Sequence, residues 1–465
     1  MSILAAYCVP HPPLIIPAVG GGEEEKISDT IRAYQKVARE IAALAPQTII
    51  LTSPHLPLYL DYFHICGGKR ARGDLAKFGA PLEALEVSYD EELIRTLSLA
   101  LAQDSFPAGT QGETSKELDH ASFVPLHFIR QAYKDFDLVR IGLSGLSLAM
   151  HYRLGMYIQS EIEALGRRCV FIASGDLSHR LLAEGPYGFD AKGPVYDRAI
   201  MDILSHGNFK DILTMAPELY ESAGECGHRS FAIMAGALDR RSVQALQLSY
   251  EGPFGVGYGV VAIHPQETDP TRNFLDQLDA EQLTESKASK DKASPHVKLA
   301  LAVIQAHLDN HKFNLTDYTQ RESLPDAITQ EIAGVFVSLK KDGQLRGCIG
   351  TIAPTTGSIA QEIERNAIEA AFYDPRFAPL DRSEFPYLTV SVDVLDTPEP
   401  IADQSELDPI NYGVIVTKGN RRGLLLPNLP GVDTVDQQIE IAKSKAGLKP
   451  SEIPDLERFK VVRYL

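Results

Sequence analysis

The stretch Ile3-Leu-Ala-Ala-Tyr-Cys-Val-Pro-His-Pro-Pro13 decides how the first half of this chain is read. The apolar run from Ile3 to Val9 is strand length and shows no polar alternation, so it reads as a strand covered on both faces. Pro10 ends the run and His11 follows at once. The same order recurs in Thr48-Ile-Ile-Leu-Thr-Ser-Pro-His55 and in Cys169-Val-Phe-Ile-Ala-Ser-Gly-Asp-Leu-Ser-His179. Residues 138–143 and 257–264 supply two more apolar strand candidates. Amphipathic patterns lie between them. In 29–44, Ile31, Tyr34, Val37, Ala38, Ile41 and Ala42 mark one face at helical spacing, and 91–102 and 152–165 behave alike. This alternation predicts a three-layer α/β domain with a mostly parallel sheet.

Open α/β sheets bind ligands beyond the carboxyl ends of their strands. His11, His55 and His179 all stand there, and the prolines beside the first two stiffen their turns. Any one of them alone is an ordinary loop histidine; three in equivalent places point to a site. Two histidines and one carboxylate leave coordination positions open on Fe(II). His11 and His55 are the histidines at hand. Glu225, in Ser222-Ala-Gly-Glu-Cys-Gly-His-Arg-Ser-Phe231, is the candidate carboxylate, standing where a glycine-flanked turn enters an apolar helix. Its other reading is an acid complementing the helix dipole. His228 reads as a pocket residue with no assigned role, and His64, His206, His296, His307 and His311 as surface or linker residues.

The chain has 465 residues, too many for one ordinary domain. Residues 266–293 are charged and rich in Ser, Lys and Asp, with little to bury, and read as an exposed linker, with a short helix around Phe274 and Leu278. That gives domains at 1–265 and 294–465, and no internal repeat is present. The second part mixes helix patterns at 297–310, 358–372 and 435–446 with strand-like runs at 334–340, 388–395, 413–418 and 423–426, an α+β arrangement. Within it, Leu345-Arg-Gly-Cys-Ile-Gly-Thr351 places Cys348 beside Arg346 between two glycines. A cation there favours a reactive thiolate; the plainer reading is a tight connection with a buried thiol.

Lys and Arg total 45 against 62 Asp and Glu, a net charge of −17, with a pI near 5.3. Such a surface repels nucleic-acid phosphates and anionic lipid, so neither is expected as a main partner. No apolar run reaches the roughly 18 residues of a membrane span. The first ten residues lack the basic start of a signal peptide. Five cysteines, widely spaced and without a CxxC pair, argue against a disulfide framework. A reduced, cytoplasmic protein is expected.

Four motifs, Pro-His-Pro-Pro at the start, Ser-Pro-His at 53–55, Leu118-Asp-His-Ala-Ser-Phe-Val-Pro-Leu-His127 and Ser174-Gly-Asp-Leu-Ser-His179, resemble the class III extradiol dioxygenase superfamily. This is the LigB type, with protocatechuate 4,5-dioxygenase and the Memo-like proteins among its members. The resemblance spans about residues 1–265. It implies a non-haem Fe(II) held by His11, His55 and Glu225, with His179 as acid/base near its natural pKa and His120 close to substrate and oxygen. The implied substrate is small and catechol-like or phenolic. Memo-like members use a cysteine before glycine as the third metal-site residue. Cys226-Gly227 therefore makes Cys226 the alternative ligand, which would favour Zn or Cu(I).

The motifs Leu345-Arg-Gly-Cys-Ile-Gly350 and Phe372-Tyr-Asp-Pro-Arg-Phe-Ala-Pro-Leu380 resemble the AMMECR-type domain over about 294–465. A second site there would lie near Arg346, Cys348, Asp374 and Arg376. The two families occur together in the AmmeMemoRadiSam system, whose third member is a radical SAM protein. The resemblance thus implies a radical SAM partner, and a metal-binding or oxygen-independent role as the alternative to ring cleavage. A homodimer is expected.

Overall fold

The computed structural model describes residues 3–112, 117–341, 343–429 and 431–465. The chain divides into two compact units, residues 1–278 and 279–465.

The first unit is built on a six-stranded sheet. Its strands are β1 (Ile3–Val9), β2 (Thr48–Ser53), β3 (Asp137–Gly142), β4 (Cys169–Ser174), β5 (Arg241–Glu251) and β6 (Tyr258–Thr268). The order across the sheet is β3-β2-β4-β1-β6-β5. β1 and β2 both run parallel to β4, and β3 runs parallel to β2. Only β6 is reversed, pairing antiparallel with β1 and β5. Every residue of β2 and β4 is buried. Side chains alternate between the two faces, so total burial requires helices on both sides.

Helix α1 (Ser28–Leu44) buries Tyr34, Val37, Ala38 and Ile41 of the expected stripe, with Thr30 and Ala33 beside them, while Ile31 and Ala42 are half-buried. The remaining helices used below are α2 (His120–Ala132), α3 (Leu148–Leu165), α4 (Lys192–His206) and α5 (His228–Ala237). α3 and α5 touch backbone to backbone. A Cβ on Gly236 would stand 1.8 Å from the Tyr152 carbonyl oxygen, and one on Gly155 2.0 Å from that of Ile233. Two glycines let the axes approach closer than any side chain allows.

Several elements differ from expectation. The stretch 266–293, read as a linker, completes β6 and then forms a helix, Phe274–Lys292, in which only Leu275 is buried. Its polar composition is that of a solvated helix. Strand β5 escaped notice because its residues are mostly half-buried or exposed and include few β-branched types. The antiparallel pair Arg70–Leu75 and Ala80–Ser88 was missed for the same reason. His64 and His296, read as surface or linker residues, are both buried. His64 bonds the Gln111 carbonyl through Nδ1, and His296 stacks on Tyr464 with ring centres 3.6 Å apart.

The second unit is α+β. β7 (Gly334–Lys341), β8 (Gln344–Gly350), β9 (Leu388–Leu395) and Val461–Tyr464 form an antiparallel sheet in the order β8-β7-β9-Val461–Tyr464. Val335, Val337 and Leu339 pack with the buried faces of helices Pro295–Leu308 and Ile359–Phe372. A second antiparallel sheet, from Glu399–Pro400, Gly413–Lys418, Arg421–Leu425 and Asp455–Phe459, shares a smaller core with helix Val435–Lys445. Among the described residues no helix is long and apolar enough to cross a membrane.

The glycine contact between α3 and α5 is directly testable. Gly236→Ala forces these helices apart and should cost about 1–3 kcal/mol. On a unit of this size that lowers the first thermal transition by roughly 2–12 °C, read by differential scanning calorimetry of the full chain. An unchanged transition would show that the axes can separate freely.

Candidate functional site

β2, β4 and β1 are neighbours, and their ends are level. Val9 pairs with Ser174, and Thr52 with Ala173. The residues beyond those ends, His11, His55 and the Gly175–His179 segment, therefore open onto one rim.

His11 is buried and held on two sides. Its backbone N–H donates to Asp176 Oδ1 at 2.7 Å, and its Nδ1 lies 3.0 Å from Ser174 Oγ. The Ser174 hydroxyl donates its proton to the Ala121 carbonyl at 2.7 Å. It can therefore only accept from His11, which fixes the Nδ1–H tautomer and leaves a lone pair on Nε2. That Nε2 faces His55 Nε2 at 3.1 Å and Cys226 Sγ at 3.6 Å. Among the described residues, His11, His55 and Cys226 are the group whose ligand atoms lie within 4.8 Å of one another. Bonds of about 2.1 Å to nitrogen and 2.3 Å to thiolate at tetrahedral angles separate N and N by about 3.4 Å, and N and S by about 3.6 Å. The two separations from His11 Nε2 are thus close to those that one ion requires.

Glu225 is not part of this group. Its half-buried carboxylate turns away and accepts the His228 backbone N–H at 2.5 Å, at the start of α5. It serves the helix terminus, as its alternative reading held, and burial pushes it up to about 7. Cys226, one residue on, points the other way and accepts the Asp176 backbone N–H at 3.3 Å. Burial, then the Asp176 and Glu225 carboxylates, push its thiol well above the ordinary value. A thiolate there needs a cation beside it. The loops carrying Asp176 and Cys226 meet without side chains, since a Cβ on Gly175 would lie 2.1 Å from Gly227 Cα.

His120 opens α2 with its ring 4.2 Å from that of His55 and 5.4 Å from that of His11. The Phe78 ring stands edge-on to it at 5.4 Å. His179 stacks on Tyr187 at 5.1 Å. Burial, then the neighbouring His55, lower both His120 and His179 to about 4. The expectation of a base near its ordinary value is therefore not met for His179; both rings are neutral proton acceptors at physiological pH. A cavity of about 750 Å³ reaches His55 and His120, walled by Arg72, Asp74, Lys77 and Phe78. His228 lies behind the site, buried, with Nε2 on the Ile212 carbonyl and Nδ1 at the Tyr196 hydroxyl.

Sequence reading missed the residues that orient these groups: Ser53, Asp119, Arg140, Ser174 and Asp176. Ser53, Asp119, Ser174 and Asp176 lie within the quoted motifs but were given no role there, and Arg140 carried a signal of its own. Arg140 interrupts the apolar run of β3 and is fully buried.

In the second unit, Cys348, Asp374 and Arg376 come together. The Cys348 N–H donates to Asp374 Oδ2 at 2.9 Å, Arg376 pairs with both Asp374 oxygens, and its Nη2 reaches the Cys348 carbonyl at 2.9 Å. Ser338 Oγ donates to Cys348 Sγ at 3.2 Å. Cys348 lies within strand β8, half-buried. Arg346 does not join them: it makes a two-pronged pair with Glu384, at 3.0 and 2.9 Å.

Residues 5–261 match the family model described as the catalytic LigB subunit of aromatic ring-opening dioxygenase, and residues 297–464 match AMMECR1. A Clostridium acetobutylicum protein is 41% identical over 475 residues, covering 100% of this chain and 99% of its own. A Thermotoga maritima protein is 51% identical over 173 residues, covering 37% of this chain and 97% of its own. A crystal structure of a Pyrococcus horikoshii protein aligns at 29% identity with a TM-score of 0.33, over 36% of this chain and 88% of that one.

The Arg346–Glu384 pair sets a pH dependence in the second unit. Bonding to Arg346 holds Glu384 down to about 2, below its ordinary 4.5. Its contribution is complete above the unfolded value and disappears as pH falls towards the folded one. Glu384→Gln should cost on the order of 1–3 kcal/mol at neutral pH in urea unfolding. The difference from the unsubstituted protein should vanish in strong acid; one that persisted there would refute the assignment.

Proposed function

We propose, from the premise that this chain belongs to the LigB family of aromatic ring-opening dioxygenase subunits and carries an AMMECR1 domain in its second half, that its first unit is a metal-dependent enzyme acting on a small phenolic or catechol-like compound. The observation that carries the reading is the approach of His11 Nε2, His55 Nε2 and Cys226 Sγ to within 4.8 Å of one another. These three residues would hold the ion, with Glu225 spent on the start of α5. A thiolate in the set suits Zn or Cu(I) better than the Fe(II) of an oxygenase. This supports the oxygen-independent alternative over ring cleavage.

When bound, the ion supplies Lewis-acid polarisation of a substrate oxygen. The chain's own residues do the rest. The fixed tautomer of His11 keeps its lone pair on the ion position. The neutral His120 and His179 can each take the proton of a phenol that reaches it. Phe78 and the His120 ring offer flat faces to an aromatic substrate, and Asp176 braces the His11 and Cys226 loops together.

Metal analysis of the purified full chain tests the ligand set. About one equivalent of metal is expected in the unsubstituted protein and in Glu225→Gln. His11→Ala and Cys226→Ser should each lose most of it, with roughly tenfold or greater weakening of affinity. Loss of metal from Glu225→Gln with full retention in Cys226→Ser would overturn the assignment and return the site to a two-histidine, one-carboxylate iron centre.

A further inference from the structure

We propose that Asp119 is a positioning residue that, anchored on the buried Arg140, holds the ion ligand His55 and the cavity-facing His120 in fixed relation. This rests on the ion site proposed above.

Both carboxylate oxygens of Asp119 are occupied. Oδ1 accepts the Ser53 hydroxyl at 2.7 Å and the Ser122 backbone N–H at 2.9 Å. Oδ2 accepts the Ser122 hydroxyl at 2.9 Å and lies 3.4 Å from Arg140 Nη1. The Ser53 oxygen in turn accepts the His55 backbone N–H at 3.2 Å. His120 follows Asp119 directly. One carboxylate is thus one bond from the segment bearing His55 and one residue from His120, and the two rings sit 4.2 Å apart.

A plain helix cap explains only part of this. Capping α2 needs a single acceptor, which Ser or Asn would supply. It does not need a guanidinium with no exposed surface in the middle of a sheet strand. Burying that charge is expensive, and an apolar residue at 140 would pack without the penalty. Arg140 instead reaches towards Asp119 and donates to the Glu117 carbonyl at 2.7 Å, so it fixes both the carboxylate and the chain leading into it. The strand position is rigid, with Arg140 paired to Leu51 of β2 two residues before Ser53. The pair therefore ties the end of β2 to the start of α2, the two elements that present His55 and His120.

The test uses the full chain loaded with Co(II), whose visible bands report the ligand field, and Zn(II) competition against a chromophoric chelator. Asp119→Asn and Arg140→Met should weaken metal binding about 10- to 100-fold and shift the cobalt bands. Ser53→Ala, which removes one hydroxyl and no charge, should move both readouts in the same direction by less. A purely structural pair would lower the unfolding temperature and leave affinity and spectrum unchanged; that result overturns the inference. So does a folded Ser53→Ala protein identical to the unsubstituted one, even if Asp119→Asn fails to fold. An unsubstituted protein that takes up no cobalt removes the ion site and this inference together, whereas unchanged variants on a cobalt-binding protein remove this inference alone.

Discussion

The candidate site depends on the register of three adjacent parallel strands. β2, β4 and β1 finish at the same height, so residues 11, 55 and 175–179 meet although they are far apart in the chain. Nothing local brings them together. The backbone ladder does so, and it is stable because continuous apolar runs are buried on both faces. A slip of one residue in either pairing would turn the strand's side chains to the opposite faces and dismantle the core before it displaced a ligand. Stability and the spacing of the rim side chains are thus enforced by the same bonds.

Around that frame the polar groups are arranged by tautomer and by charge. Ser174 spends its only proton on Ala121 and so dictates where His11 keeps its lone pair. Asp176 accepts the His11 N–H through its side chain and offers its own N–H to Cys226. Burial keeps His120 and His179 neutral. The rim therefore combines unprotonated imidazoles with a thiol that ionises only against a cation, a set that gains more from a soft or borderline ion than from a water-filled gap.

Much of this was legible in the amino-acid order. β1 and β9 run over the residues expected, β1 because a strand buried on both faces announces itself as an unbroken apolar run, and β9 because its apolar residues alternate with Thr389, Ser391 and Asp393 at strand period. β5 did not, because an edge strand facing solvent resembles a polar loop. The histidines were found from their positions past strand ends. The choice between Glu225 and Cys226 was not legible: adjacent residues point in opposite directions, and only the backbone path into α5 decides which one faces the imidazoles. Arg140 was visible as a charge in an apolar run, but its partner lies in a different element, and no spacing rule links them. Cys348 and Arg346, two apart in a motif, separate because the β7–β8 pairing shifts between Leu339 and Lys340 and leaves Arg346 as the extra residue, where it pairs with Glu384.

The opposed directions of Glu225 and Cys226 have a wider consequence. The segment joins Gly224, in a left-handed turn, to Gly227, pressed against Gly175. Between those two pivots the chain offers a hard oxygen donor and a soft sulfur donor in consecutive positions. Which one meets the imidazoles is a question of phase along the backbone. A shift of a single residue would exchange the donor that meets the imidazoles, oxygen for sulfur, while leaving sheet, helices and both histidines where they are.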